Sequence, residues 1–415
     1  MLSNLCAEPH LLPNLLMDRH EELENVRVFH LRPFGTFIDR YLEEDMEKHI
    51  RCATVFAGGI PQIVQLMKEG RADFYPITLG RIPWLFREGP YRPDVFMATV
   101  TPPDERGYCS LGVSVDYARA AIETARTVIA EVNENMPRTF GESLVHLSEL
   151  DYLIEVDESI YEIPPTNITS TERTIGENVA SLVDDEATIQ IGYGSISEAM
   201  TPFLEDKKDL GMHSEMVPEG IMRLVEGGAM TCRKKSIDKG KIVSTFNAGT
   251  ERLYSWLDGN RVIDMRPVDY TNDPRVIALN HKMTAVNAAL QVDLYGNIYS
   301  DVLGLDQYSG PGGQPDFVLG AHLCPNGKSI IVLSSTAANG KASRIVVHPT
   351  LTGNSRAPLA PTITRFFADY IVTEYGIASL ENKTTIERAR AMIELSHPSF
   401  RDELFAEARK RRLVK

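Results

Sequence analysis

Short apolar and β-branched runs recur along the chain, and each is followed by turn residues and then by apolar positions at helical spacing. Such runs are typical of strands, and a repeat of three or four between apolar positions is typical of helices. Their alternation predicts an α/β protein with mainly parallel sheets. The runs are VRVFHL, VFMATV and TVIAEV in the first half and TIQI, IVSTF and IIVLSS in the second.

A polar stretch that contains two prolines separates the two sets of runs. It spans residues 162–174 and ends in residues that can cap a helix, just before an apolar-periodic segment near Ile175 to Val183. A chain of 415 residues is long enough for two domains that each bury a core. We therefore predict two related α/β domains, residues 1–168 and 169–415. An Asp-x-x-Gly turn after a strand in each half, at Asp104 and Asp293, adds weak support.

The composition of the chain excludes some classes of binding partner. With 43 Lys and Arg against 57 Asp and Glu, the formal charge is −14, which disfavours binding to nucleic acid. The five cysteines are far apart and form no C-x-x-C pair, so we expect reduced thiols and no metal site. The first residues lack the features of a signal peptide, and no apolar stretch reaches the length of a membrane span. These features predict a soluble, cytoplasmic protein with no membrane partner.

A first glycine loop lies in the sequence ATIQIGYGSISEAM, residues 187–200, where a strand runs into Gly192 and Gly194 and then into a helix. Backbone amides in such a loop can hold an anion, although a tight turn without a ligand explains the same residues. Glu215 lies about 20 residues further on, where a dinucleotide-binding unit places its ribose-binding acid. A nicotinamide-dependent oxidoreductase is therefore an alternative. Against it, Ser197 replaces the third glycine of that motif.

A second group of polar residues follows strand-like segments in the same half. The sequence GMHSEM places His213 and Glu215 just after an apolar stretch, and a His and a Ser this close in sequence disfavour a hydrolytic triad. The loop QYSGPGGQPDF, residues 307–317, follows the strand-like segment Leu290 to Val302 and carries three glycines that let backbone amides approach a ligand. These are Gly310, Gly312 and Gly313. Asn287 and Gln291 fit either pocket walls or partners for buried backbone.

Several longer stretches are similar to one family. They are AEPH near the start, TPPDERGYCSLGVSVDY at 101–117, GESLVHLSELD at 141–151, LGMHSEM at 210–216, KSIDKGK at 235–241, LQVDLYG at 290–296, SGPGGQPDF at 309–317 and DYIVTEYGIA at 369–378. On these residues, which span nearly the whole chain, the protein resembles class I coenzyme A transferases of the acetyl-CoA hydrolase/transferase family. Family members usually carry a helix and a strand before A-E-P, so we expect an N-terminal truncation or an alternative start.

The resemblance implies a fold of two related CoA-transferase-like α/β domains. It also implies that the reaction is the transfer of CoA between carboxylic acids. Glu215 is then the nucleophile, which passes CoA from a short acyl group such as 4-hydroxybutyryl, butyryl or acetyl to an acid such as acetate. An acyl-glutamyl anhydride and a glutamyl-CoA thioester are the intermediates, in a ping-pong reaction. CoA is a substrate, and no permanent cofactor or metal is needed. An acyl-CoA hydrolase is the nearer alternative.

The resemblance also implies roles for neighbouring residues. Gly192, Gly194, Gly310, Gly312 and Gly313 map to the positions that form the oxyanion and CoA site. Tyr193 stands where the family usually has Ile, so we expect it to shape the acyl pocket. We expect His213, Asn287 and Gln291 near the substrate as well. Family members often form dimers, which predicts a homodimer.

Overall fold

All six apolar runs contain a strand in the computed structural model, which describes residues 1–192, 194–303, 306–347 and 360–415. Side chains branched at Cβ favour extended backbone, and β9, β11 and β18 are buried at nearly every position, as expected for parallel strands covered on both faces. The prediction of an α/β fold with mainly parallel sheets is therefore confirmed.

Residues 1–168 form two three-stranded parallel sheets and one antiparallel pair, with orders β1-β2-β3, β4-β6-β8 and β5-β7. The strands are β1 (Val26–Phe29), β2 (Ile50–Thr54), β3 (Ala72–Phe74), β4 (Val95–Val100), β5 (Tyr108–Ser110), β6 (Thr127–Asn133), β7 (Leu144–His146) and β8 (Tyr152–Val156). The helices are α1 (Leu11–Asp18), α2 (Phe37–Arg40), α3 (Met46–His49), α4 (Pro61–Lys68), α5 (Ile82–Arg87) and α6 (Ala118–Thr124).

The strands of the second half are β9 (Thr188–Ile191), β10 (Gly211–Met212), β11 (Ile242–Ser244), β12 (Ile263–Met265), β13 (Thr284–Ala288), β14 (Gln291–Asp293), β15 (Ile298–Tyr299), β16 (Val302–Leu303), β17 (Asp306–Gln307), β18 (Lys328–Val332), β19 (Thr336–Ala337), β20 (Ala342–Ser343), β21 (Ile345–Val346), β22 (Tyr370–Thr373) and β23 (Gly376–Ser379). Its main sheet has the order β10-β9-β13-β18-β22-β23, and every pair in it except β22 with β23 is parallel.

Nine α-helices are described in the second half, within the ranges given above. They are α7 (Ser170–Leu182), α8 (Ser195–Met200), α9 (Gly220–Glu226), α10 (Glu251–Leu257), α11 (Val268–Thr271), α12 (Pro274–Ala278), α13 (Gln314–Leu323), α14 (Thr385–Leu395) and α15 (Pro398–Lys410). In the described ranges, no helix has the length and apolar character needed to cross a membrane.

The helix α7 shows how the polar stretch between the halves ends. Thr169 accepts a hydrogen bond from the Glu172 amide, and the Glu172 carboxylate accepts one from the Thr169 amide at 2.7 Å. This reciprocal cap satisfies donors that the first helical turn leaves open and contributes about 1 kcal/mol. Ile175 and Val179 are fully buried one turn apart. The predicted helix is confirmed, and it begins at Ser170 rather than near Ile175.

The halves contact each other closely. Within the described ranges, no strand ladder joins residues 1–168 to the rest, but isolated bridges join Ser114 to Phe246 and Gly141 to Met265. One hydrophobic cluster also runs from Leu5 to Val372. The boundary near residue 168 stays a prediction.

The segment Leu290 to Val302, expected to be one strand, is instead three short strands, β14, β15 and the start of β16. The Asp293 carboxylate causes the break, because it accepts hydrogen bonds from the amides of Tyr295 and Asn297, both at 2.9 Å, and closes a turn. Asp104 makes the same kind of turn in the first half, through the amides two and four residues on. The two halves therefore share this local feature.

Candidate active site

Glu215 lies just beyond β10, at the carboxyl end of the main sheet. Because β9 and β10 are parallel neighbours, the loop that follows β9 reaches the same edge. The Glu215 carbonyl oxygen accepts hydrogen bonds from the amides of Thr245 at 2.8 Å and Phe246 at 3.0 Å. Since Phe246 is also bridged to Ser114, Glu215 lies where the two halves meet.

The side chain of Glu215 lines a cavity of about 240 Å³. Residues from both halves form its wall, and most of them are apolar. The lining residues are Leu5, Leu31, Arg32, Phe56, Leu79, Ile163, Gly192, Glu215, Met216, Phe246, Ala248 and Gly312. A mostly apolar wall beside a single carboxyl group favours a reactive site that holds a small organic group.

The carboxyl group of Glu215 is held by a buried amide. Asn272 Nδ2 donates to Glu215 Oε1 at 2.6 Å and lies 3.4 Å from Oδ2 of Asp316. Asp316, in the first turn of α13, also accepts the Gly80 amide at 3.1 Å. One amide group therefore bridges two carboxyl groups, and the second of these is tied to the first half of the chain.

The surroundings change the acidity of both carboxyl groups. Burial raises the pKa of Glu215 to about 7, the hydrogen bond from Asn272 opposes this shift, and the nearby charge of Asp316 adds to it. Burial likewise raises the pKa of Asp316 to about 6, against hydrogen bonds from Gly80, Thr78 and Asn272. Glu215 is thus partly protonated at neutral pH. A carboxylate that is poorly solvated in this way is a better nucleophile than one in water.

The second glycine loop packs directly against Glu215. A Cβ atom at Gly313 would lie 1.7 Å from Glu215 Oε1, and one at Gly310 would lie 1.8 Å from the carbonyl oxygen of Val55. Only glycine fits at these two positions. Gly312 lines the cavity itself, and its carbonyl oxygen accepts the amide of Leu79 at 2.9 Å. The loop therefore brings the amino end of α13 to the carboxyl group.

The first glycine loop is more open. Gly192 lines the cavity, and a Cβ atom at Gly192 or Gly194 would meet none of the residues that the structure describes within 4 Å. Gly194 has a φ of +135°, a region that favours glycine. Ser214 ties this loop to Glu215, because its hydroxyl donates to the carbonyl oxygen of Ile191 at 3.1 Å. The predicted pocket residue Tyr193 lies outside the described residues.

Three other predicted pocket residues do not line the cavity. His213 is fully buried, and its Nε2 atom is 2.8 Å from the carbonyl oxygen of Thr271. Burial, with the charge of Lys235, lowers the pKa of His213 to about 3, so the ring is neutral. Asn287 pairs its amide with that of Gln190, at 3.2 and 3.4 Å. Gln291 lies in β14, outside the main sheet, opposite Tyr299. The roles of these three residues in the substrate pocket therefore stay predictions.

Three residues at or near the site carry no recognisable sequence signal. Asn272 resembles any polar residue at the end of a short helix, and Asp316 any acid in a first helical turn. Arg32 follows β1, and the pattern of residues around it does not show that this segment lines a cavity together with residues of the second half. Within the described ranges, no cluster of metal-ligating side chains was found.

Comparison with known proteins agrees with this geometry. The N-terminal domain of acetyl-CoA hydrolase/transferase matches residues 1–165, and the C-terminal domain of the same family matches residues 249–408. The chain belongs to the acetyl-CoA hydrolase/transferase family. The resemblance inferred from the motifs is therefore confirmed, and membership favours a transferase or hydrolase over the dinucleotide-binding alternative.

Individual relatives cover almost the whole chain. It is 43% identical to 4-hydroxybutyrate coenzyme A transferase of Clostridium kluyveri, over 99% of this chain and 94% of that protein. It is 40% identical to succinyl-CoA:cyclohexane-1-carboxylate CoA transferase of Geobacter metallireducens, over 97% of this chain and 90% of that protein. The solved 4-hydroxybutyrate CoA-transferase of Porphyromonas gingivalis superposes with a TM-score of 0.81 at 35% identity, covering 99% of this chain and 92% of that one.

Proposed function

We propose that this protein is a CoA-transferase that moves coenzyme A from a short acyl-CoA to a carboxylic acid. The donors are 4-hydroxybutyryl-, butyryl- or acetyl-CoA, and the acceptor is an acid such as acetate. The position of Glu215 carries this proposal: a partly buried carboxyl group with a raised pKa, held by Asn272 in the wall of an apolar cavity. Relatives named as CoA-transferases agree with it.

The first half-reaction begins with attack of the Glu215 carboxylate on the acyl-CoA carbonyl. A C–O bond forms, the C–S bond breaks, and CoA leaves as a thiolate, which gives an acyl-glutamyl anhydride. The thiolate then attacks the glutamyl carbonyl carbon. The acid leaves as a carboxylate, and Glu215 remains as its CoA thioester. No proton, electron or metal is needed for this balance.

Each attack places negative charge on a carbonyl oxygen. The amides of Gly312 and Gly313, beside Glu215 at the start of α13, are suited to donate hydrogen bonds to that oxygen. Neither amide donates to another backbone or side-chain acceptor in the described part of the chain. A donor of this kind commonly contributes about 3 kcal/mol to the transition state.

The second half-reaction runs the same steps in reverse with a new acid. Its carboxylate attacks the glutamyl thioester, CoA departs and then attacks the acyl carbonyl of the anhydride, and free Glu215 is restored. Water that reached the thioester would instead make a hydrolase. The apolar lining from Leu5, Leu31, Phe56 and Phe246 disfavours water at Glu215 and so favours transfer.

Steady-state kinetics test the proposal. With butyryl-CoA and acetate, double-reciprocal plots should give parallel lines, and Glu215→Gln should lower the rate of transfer by at least about 1,000-fold. Glu226→Gln, at an exposed position of α9, is the matched control and should transfer at the normal rate. Transfer that survives in Glu215→Gln would contradict the proposal. Release of CoA without formation of acetyl-CoA would favour the hydrolase.

We also propose that the enzyme works in the cytoplasm, with no cofactor other than its substrate CoA, and as a homodimer. The absence of C-x-x-C pairs and the burial of all five cysteines as free thiols support a reducing compartment. Light scattering during size-exclusion chromatography measures the oligomeric state, and a monomeric mass would contradict the dimer.

A further inference from the structure

The cavity wall holds two charged residues of opposite sign among the described lining residues, Glu215 and Arg32. They come from different halves of the chain, and the other ten lining residues are apolar or glycine. A guanidinium in such a wall attracts a carboxylate that enters the cavity, because it offers both positive charge and a fork of N–H donors.

The chemistry proposed above brings such an anion in at a specific moment. While Glu215 is its CoA thioester, its carboxyl group is neutral, and the acceptor acid must enter as a carboxylate to act as a nucleophile. That carboxylate loses most of its water in the apolar cavity, at a large cost in free energy. Arg32 is the one cation in the described lining that can offset this cost, with a planar group that matches carboxylate geometry.

Contacts within the first half hold Arg32 in place. Its backbone amide donates to Oδ1 of Asn4 at 3.2 Å, and Nδ2 of Asn4 donates to Asp116 at 2.7 Å. The guanidinium lies 5.8 Å from the centroid of the Phe34 ring. It also lies against Gly59, where an added Cβ atom would be 3.4 Å from Nη2. Both ends of the residue are thus packed against defined neighbours.

We propose that Arg32 binds the carboxylate of the acid substrate, both as the leaving acid of the first half-reaction and as the acceptor of the second. This inference rests on the proposed function. In the second half-reaction, the carboxylate oxygen forms the bond to the glutamyl carbon, and the C–S bond breaks to release CoA as a thiolate. Arg32 keeps its charge throughout, so it orients and stabilises the anion and transfers no proton.

Reactions of the enzyme–CoA thioester, isolated after incubation with butyryl-CoA, distinguish binding of the carboxylate by Arg32 from a general role of Arg32 in the structure. Its reaction is followed with acetate, an anion, and with hydroxylamine, which is largely neutral above pH 7. Arg32→Met should slow the reaction with acetate on the order of 10- to 100-fold and change that with hydroxylamine by less than about 2-fold. Arg32→Lys should recover part of the reaction with acetate, because it restores a point charge.

Controls distinguish the possible outcomes. Arg92→Met, at an exposed position, removes the same charge away from the site and should behave as wild type. Equal losses for acetate and hydroxylamine, or no loss for acetate, would overturn the role of Arg32 alone. If wild type forms no thioester, the proposed function falls and this inference with it. Should Arg32→Met fail to fold, nitrate added to the wild type gives the answer: it should compete with acetate and leave the hydroxylamine reaction unchanged, and no competition would overturn the role.

Discussion

The two glycine loops line the same cavity, through Gly192 and Gly312, but their other surroundings differ. At Gly310 and Gly313, a side chain would collide with Val55 or with Glu215 itself, at less than 2 Å. At Gly192 and Gly194, a Cβ atom would meet no atom of the described residues within 4 Å. The second loop needs glycine for the protein's own packing. At the first loop, no described residue occupies the corresponding space.

This difference separates residues that build the nucleophile from residues that surround the substrate. The second loop, with Asp316 in the helix that follows it, is connected to Glu215 through Asn272. The first loop contributes a wall of the cavity, through Gly192, and a hydrogen bond to Ser214 through Ile191. Substitutions in the second loop should therefore affect chemistry, and those in the first loop should affect substrate preference.

The largest effect is expected at Gly313. Gly313→Ala places a methyl group on the Glu215 carboxylate, so this side chain must leave the position that Asn272 holds. Transfer should fall by at least about 100-fold, as expected when a reacting group is misplaced by 1 Å or more. Rates of glutamyl-CoA formation measure this, with Gly192→Ala as the matched control. Equal rates in the two variants would remove the distinction between the loops.

The next effect concerns the amide that holds the nucleophile. Asn272→Ala removes the 2.6 Å hydrogen bond to Glu215 and leaves the carboxyl group less well oriented. We expect kcat to fall by about 10- to 100-fold, with a smaller change in the KM for acyl-CoA.

Asn287→Ala is its counterpart, because Asn287 pairs with Gln190 rather than with Glu215. It should lower thermal stability by about 1–2 kcal/mol, since it leaves a buried amide unpaired, and should keep kcat within about 3-fold. A large loss of kcat in Asn287→Ala would instead support the predicted pocket role of this residue.

The pH dependence of thioester formation gives a further contrast. The nucleophile is the carboxylate, so the rate should rise with pH and reach half its plateau near pH 7, the pKa of Glu215. The negative charge of Asp316 raises that pKa, and Asp316→Asn should therefore move the midpoint to lower pH. Glu198→Gln, in the first turn of α8 after the other loop, should leave the midpoint unchanged. A midpoint that shifts equally in both variants would contradict the coupling.

The smallest effect is expected at Gly192. The methyl group of Gly192→Ala would contact no described residue within 4 Å, and Gly192 lines the cavity, which has a volume of about 240 Å³. Thermal stability should stay within about 0.5 kcal/mol of wild type, while the preference for butyryl- over acetyl-CoA falls by a few fold. Competition between the two acyl-CoA substrates measures the preference. An unchanged preference, with transfer intact, would show that Gly192 does not limit the acyl group.

Local features of this protein could be predicted from its sequence, and long-range contacts could not. Branched apolar runs predicted six strands, and the residues before Ile175 predicted a capped helix, because such signals act within a few residues. The prediction of a single strand from Leu290 to Val302 was wrong, because a turn closed by Asp293 interrupts an otherwise strand-like stretch. Strand propensity is judged over a window of residues, so it does not detect one turn-forming aspartate.

The site follows the same rule. Glu215 and the glycine loops carry recognisable motifs, whereas Asn272 reaches Glu215 across 57 residues of sequence. His213 lies within the same motif as Glu215, and a spacing of two residues would put both side chains on one face of an extended strand. The strand β10 ends at Met212, however, and the His213 ring is buried away from the cavity against the carbonyl oxygen of Thr271. A motif therefore located the nucleophile but could not show which neighbours touch it.

The central claim is that Glu215 carries CoA during turnover, and mass spectrometry of the intact protein and its peptides tests it most directly. The protein is mixed with butyryl-CoA in the absence of an acceptor acid. We expect a CoA adduct on the peptide that contains Glu215, absent from Glu215→Gln, which disappears on addition of acetate as acetyl-CoA forms. Turnover of butyryl-CoA and acetate to acetyl-CoA with no adduct on that peptide would contradict the account.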